Sequence, residues 1–200
     1  MLTSQPFGVR PVLHTSGTAN PKQQYGSLDG APAASLYRNL PIVVDATTGN
    51  IKPISQGATY GTESVLGIFA GLQYVDQNGM VKERPGIAAG TPMWGNSAVE
   101  NAAGALNAVS APYIYQDPAM EFEVQVNGTL DKSAIGKTFS IDMSTVTNFN
   151  TQVGYSQCML YATAVAAGAG QFIVTELANL PGNAWSDPYP IVRVKLNNIL

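Results

Sequence analysis

The stretch EFEVQV, Glu121 to Val126, changes character at every step. Phe122, Val124 and Val126 fall on one side, and Glu121, Glu123 and Gln125 on the other. A period of two with one apolar face is the pattern of a half-buried β-strand. The end of the chain repeats it: in PIVRVKLNN, Val192, Val194 and Leu196 oppose Arg193, Lys195 and Asn197. Working outward, LPIVVDA, IKPIS, LGIFAGLQYVD, MVKER, KTFSID, CMLYATAV and QFIVTEL are further strand candidates. Thr48-Gly49-Asn50, Asn78-Gly79 and Asn127-Gly128 supply the turns between them, because Asn and Gly tolerate the positive φ that tight hairpins require.

The chain has 20 glycines and 13 prolines, which interrupt every long window, and no sustained 3.6-residue apolar stripe is found. Ser97 to Val109 (SAVENAAGALNAV) is Ala-rich but weakened by Gly104, and reads as a loop or a short helix. The first 40 residues differ from the rest. They hold one acidic residue, Asp29, against Arg10, Lys22 and Arg38, with Gly or Pro every few positions and no long alternation. The expected fold is therefore mainly β: an antiparallel β-barrel or β-sandwich body over 41–200, with an extended N-terminal arm over 1–40.

Bulk composition narrows the function. The 200 residues are 45% hydrophobic but only 12% charged, against about 25% charged in an ordinary domain. A surface of Ser, Thr, Asn, Gln, Gly and Ala suits a protein that sits against neighbours or is extracellular. The net charge is −3 and no basic run occurs, so no nucleic-acid partner is expected. The longest apolar run, Val65 to Leu72, is too short for a membrane helix, so no membrane partner is expected either. Met1 to Arg10 lacks the pattern of a secretory leader, which points to synthesis in a cytoplasm. Cys158 is the single cysteine; among the apolar neighbours of SQCMLYAT it reads as a buried, inert thiol.

Catalytic templates fit poorly, and no enzyme, metal or cofactor is expected. His14 is the only histidine, too few for a histidine metal site, and no G-x-S-x-G elbow accompanies it. Gly136-Lys137-Thr138 imitates the end of a P-loop, but Asp131 stands where the first glycine is needed and a strand-like FSID follows. Glu121 and Glu123 are paired carboxylates of the kind used in glycoside hydrolysis, although an alternating strand must point polar groups outward in any case. Tyr113 and Tyr115 share a strand face and read as a sugar-stacking platform or, together with Trp185, as self-association anchors.

FGVRPVLHTSG, Phe7 to Gly17, is apolar enough for burial yet carries Pro11, which a central strand does not tolerate. Together with VLGIFAGLQYVDQNG, YIYQDPAMEFEVQVNG and the closing IVRVKLNNIL, it resembles a family of capsid decoration, or cement, proteins of tailed bacteriophages. The resemblance lies in the order and spacing of the four segments, which run from one end of the chain to the other. Ser97–Val109 and Thr163–Phe172 depart from the family pattern.

The resemblance implies a β-rich virion structural protein on the outer capsid surface, stabilising the expanded head. It implies the major capsid protein as partner, homo-oligomers (dimers or trimers), and an N-terminal segment reaching across capsid subunits. On this reading Phe7, Val9 and Val12 are apolar anchors for another protein's groove, and Arg10 meets a capsid carboxylate. Pro11 and His14 belong to the same capsid-binding arm, with Pro11 lowering the entropy lost on docking. Removing Met1 to Gly17 is then expected to leave a folded body. The alternatives are a carbohydrate-binding head fibre or adhesion module, a glycosidase using Glu121 or Glu123, and another virion component such as a tail protein.

Overall fold

The computed structural model describes residues 3–17, 22–25, 34–54, 63–75, 80–89, 111–142, 154–166 and 169–197. The Ala-rich stretch Ser97–Val109 and the Asn78-Gly79 turn lie outside them. In chain order the strands are β1 (Arg10–His14), β2 (Gln23–Gln24), β3 (Leu36–Tyr37), β4 (Pro41–Val44), β5 (Ile51–Pro53), β6 (Gly67–Val75), β7 (Val81–Arg84) and β8 (Gly86–Ile87). They continue with β9 (Ala111–Tyr115), β10 (Met120–Gln125), β11 (Thr138–Phe139), β12 (Ile141–Asp142), β13 (Met159–Leu160), β14 (Phe172–Leu177) and β15 (Ile191–Leu196). A single 3₁₀ turn at Lys132–Ala134 is the only helical element among the described residues.

Two large sheets organise the chain. A five-stranded sheet runs β1-β10-β15-β14-β11, antiparallel throughout. A six-stranded sheet runs β2-β9-β6-β4-β5, with β7 also paired to β6. Alternation decides which side chains meet between elements. Phe122 and Val124 of β10, Val192 and Val194 of β15, and Phe172 and Val174 of β14 are fully buried. They join Ile42, Ile68, Phe69, Leu72 and Ile114 from the six-stranded sheet in one hydrophobic cluster. The fold is mainly antiparallel β, as expected. No sheet closes on itself or curls strongly, so the barrel alternative does not describe it.

Three local expectations are corrected. Asn127-Gly128 does not make a hairpin, and neither residue has positive φ. Instead Val126 bridges Leu160 in parallel, and the Asn127 side chain accepts from Ala162 N–H and donates to Asp142. Asn127 is thus a spacer between elements, its amide occupied by long-range partners. CMLYATAV yields only the two-residue β13. By contrast, Thr48-Gly49-Asn50 does turn β4 into β5, with Gly49 at φ +72° and Asp45 Oδ1 capping Thr47 N–H at 2.8 Å.

The third correction concerns the arm. Residues 10–14 form the edge strand β1 on β10, and Val9 is fully buried in the core. Leu36 and Leu40 are fully buried too, and β3 pairs with β8. The described parts of 1–40 are therefore built into the body. Pro11 is tolerated because it sits on an edge strand, where a missing N–H leaves no inner ladder broken. The register shifts between Pro11 and Leu13, a bulge of the kind that absorbs such a residue. The bulge also explains why no clean alternation was visible there.

Candidate binding surface around the N-terminal strand

The N-terminal segment is fixed at successive points before it becomes β1. Gln125 Nε2 donates to Thr3 O at 3.0 Å, and Gln5 N–H donates to Gln125 Oε1 at 2.9 Å. Asn39 Nδ2 donates to Phe7 O at 3.0 Å, and Val9 N–H donates to Asn39 O at 2.8 Å. Asn39 itself adopts φ +68°, a conformation its short amide side chain tolerates better than most residues. Gly8 lies against it at φ +76°; a Cβ there would stand 2.6 Å from Asn39 O. Arg10 stacks over the Phe7 ring at 4.9 Å.

Beyond Val9 the outer face of the sheet carries a row of alternating charge. Arg10, Glu123, Arg193 and Glu176 are successive cross-strand partners on β1, β10, β15 and β14. Arg10 Nη2 donates to Glu123 Oε2 at 2.5 Å, Arg193 Nε lies 3.7 Å from Glu123 Oε1, and Arg193 Nη1 donates to Glu176 Oε1 at 2.5 Å. One row further, Lys195 Nζ is 3.5 Å from Glu121 Oε1. Both carboxylates offered as a glycosidase pair are thus ion-paired to basic neighbours, and Glu123 is buried. Opposite charges facing across strands favour this register, since a one-residue slip would carry the row to the other face.

At the far end of β1, His14 Nδ1 stands 2.5 Å from Ser16 Oγ, and Nε2 is 3.1 Å from Asp117 Oδ2. This is a Ser-His-Asp chain that the sequence did not suggest, because Asp117 lies 103 positions from His14. The Ser16 and Gly17 N–H groups, which would serve an oxyanion, are committed to His14 Nδ1 and His14 O. The arrangement closes a turn: Ala119 N–H, then His14, hold the Asp117 carboxyl below its usual range.

Of the residues expected to bind a capsid, Arg10 reaches solvent, whereas Val9 does not. Phe7, Pro11, Val12 and His14 are half-buried, and Arg10 and Leu13 are exposed. Tyr113 has Lys22 Nζ over its ring at 4.7 Å and donates its hydroxyl to Gln73 Oε1. Tyr115 and Trp185 pack against the core.

Elsewhere, a cavity of about 330 Å³ between residues 129–139 and 162–164 is lined by Asp131, Ser133, Lys137 and Thr163 among others. Lys137 Nζ donates to Ser133 Oγ there, and Thr138 begins β11, so the P-loop-like tripeptide leads into a strand. Burial pushes the Cys158 thiol up to about 12. No group of three or more metal-ligating side chains occurs among the described residues.

Sequence reasoning missed Gly8, Asn39, Gln125 and Asp117. Only Gly8, immediately before an apolar-basic-proline run, carried any signal. No protein-family model, curated protein or solved structure matches the chain.

Proposed function

We propose that the chain is a virion structural protein that decorates the outer surface of a tailed-phage head. It binds between major capsid protein subunits as a β-sandwich body, in dimers or trimers, and stabilises the expanded shell. The observation that carries this reading is the family-like FGVRPVLHTSG segment, whose residues Arg10–His14 are an outermost strand of the five-stranded sheet. Its exposed Arg10 and Leu13 offer one charge and one apolar side chain to a neighbour. A protein that binds only the expanded state stabilises it by mass action, and repetition over many sites multiplies a modest local affinity.

The test is direct. Purified chain is mixed with expanded and unexpanded shells of a tailed-phage major capsid protein, and the shells are pelleted. Saturable co-sedimentation with expanded shells alone, weakened by Leu13→Asp, is expected. Absence of binding to both shell forms would overturn the proposal.

A further inference from the structure

Asp131, Ser133 and Lys137 line the cavity of about 330 Å³, and local sequence sets their arrangement. Asp131 Oδ1 accepts from Ser133 N–H at 2.8 Å at the start of the 3₁₀ turn Lys132–Ala134. Gly136 follows at φ +79°, after which Gly136 N–H donates to Val174 O and Val174 N–H donates to Lys137 O. Those bonds fix the turn beside β14 and β11, and β11 is the edge of the five-stranded sheet opposite β1.

The lining has two kinds of surface. Leu130, Ala134 and Phe139 are buried and make an apolar floor, whereas Asp131, Ser133, Lys137 and Thr163 are exposed and make a polar rim. The rim has spare hydrogen-bonding capacity. An ammonium group carries three donors, and Ser133 Oγ takes one from Lys137 at 3.2 Å. A carboxylate offers about four acceptor positions, and the Ser133 N–H and hydroxyl use two of those on Asp131. One cation and one anion cancel here, so a charged ligand gains no advantage over a neutral one.

These properties select a class of ligand. A hydroxyl group can donate to the carboxylate and accept from the ammonium, and the floor asks for an apolar face. A sugar ring combines the two, with C–H groups on its face and hydroxyls around its edge. The volume lies at the low end of the range for small-molecule sites, about 300–1,000 Å³, which suits one ring rather than a long chain. A second cavity, of about 160 Å³, shares Lys137 and is lined also by Gly136, Thr138 and Val165. It leaves room for an adjoining ring, and nothing lies within 4 Å of the Gly136 Cβ position.

We propose that this pair of cavities binds a neutral oligosaccharide. One ring lies over Leu130 and Phe139 with its hydroxyls on Asp131 and Lys137, and the next lies toward Val165. The site is independent of the capsid reading and is testable on the free chain, without shells.

The probes are a microarray of neutral and sialylated glycans, then calorimetric titration with the best neutral glycan and with its component monosaccharide. The expected result is saturable binding of a neutral oligosaccharide, tighter than that of the monosaccharide. Lys137→Met and Asp131→Asn should each weaken it roughly tenfold, the loss of one hydrogen bond to a charged group. Ala164→Trp, at an exposed position of the lining, should block the larger cavity. Thermal melts check that each variant folds, and Thr163→Val replaces any that does not.

Binding to no glycan, or to sialylated glycans alone, overturns the proposal. So does binding that the folded cavity variants leave unchanged, or that is lost only in Tyr113→Ala on β9. Glycan binding without shell binding would sink the capsid reading and leave this one standing; shell binding without glycan binding would do the reverse.

Discussion

Arg10 and Glu123 face one another across β1 and β10, guanidinium on carboxylate at 2.5 Å, with Glu123 Oε1 turned toward Arg193. The pair joins the edge strand to the sheet through a buried acid and a half-exposed base. Arg10→Met leaves Glu123 with one partner at 3.7 Å. Because Arg10 is open to solvent, we expect a loss of about 1 kcal/mol rather than the larger penalty of a fully buried pair. Urea unfolding measures it. A double-mutant cycle with Glu123→Gln should return a coupling near the same size. Additive single effects would show that the row does not bind the strand.

Gly8 and Gly17 share φ +76° but not surroundings. An alanine at Gly17 meets nothing within 4 Å and should cost only the left-handed backbone penalty, roughly 1 kcal/mol. An alanine at Gly8 would put its Cβ 2.6 Å from Asn39 O. It should cost at least about 2 kcal/mol, since the backbone term is joined by displacement of the Asn39 turn. Thermal melts of the two variants side by side check the order.

The contrast between these glycines shows what the sequence made legible. Strict alternation in Glu121–Val126 and Ile191–Leu196 identified β10 and β15 because one face is buried and the other charged, a pattern that needs no partner to be seen. β1 was missed because Pro11 and the bulge destroy alternation. The strand exists by virtue of Asn39, Gln125 and Glu123, which lie far along the chain. Asn127-Gly128 misled for the complementary reason: a local turn signal was overridden by long-range partners at Asp142 and Ala162.

Cys158 is fully buried, and its thiol donates to Asn39 O at 3.8 Å. Burial lifts its pKa to about 12, so near neutral pH it is a thiol and not the reactive thiolate. Native protein should give no colour with a disulfide-exchange reagent at pH 8, and one equivalent after unfolding in urea. Rapid labelling of the folded chain would contradict the packing around Val9 and Ser156.

Three carboxylates make the acid limb of stability. Asp45 is lowered chiefly by Thr47 N–H, Asp117 by Ala119 N–H and then His14, and Asp131 by Ser133 through its hydroxyl and N–H. Each folded-state value lies below the ordinary 3.8. Each group therefore contributes stability that is present above that value and is lost as pH falls through the folded one. Unfolding free energy should fall on acidification below about pH 4, and Asp45→Asn and Asp131→Asn should each flatten the decline. An acid limb unchanged in both variants would place the proton uptake elsewhere.

Removing Met1 to Gly17 tests whether the N-terminal segment is an appendage or part of the core. An appendage would leave the body's melting unchanged. The geometry predicts otherwise. Truncation takes fully buried Val9 out of the cluster and uncovers Glu123, Gln125 and Asn39, all less than 5% exposed. Replacing Val9 alone by alanine should cost about 2 kcal/mol, as a lost buried side chain does. Stranding the hydrogen-bonding groups adds about 1–3 kcal/mol for each that water does not reach. Together these approach the whole stability of an ordinary domain, roughly 5–15 kcal/mol. The truncated chain should therefore melt at much lower temperature or without a cooperative transition, and a synthetic peptide of residues 3–14 should restore part of the loss. A truncated chain that melts like the full one would return the segment to the status of a free arm.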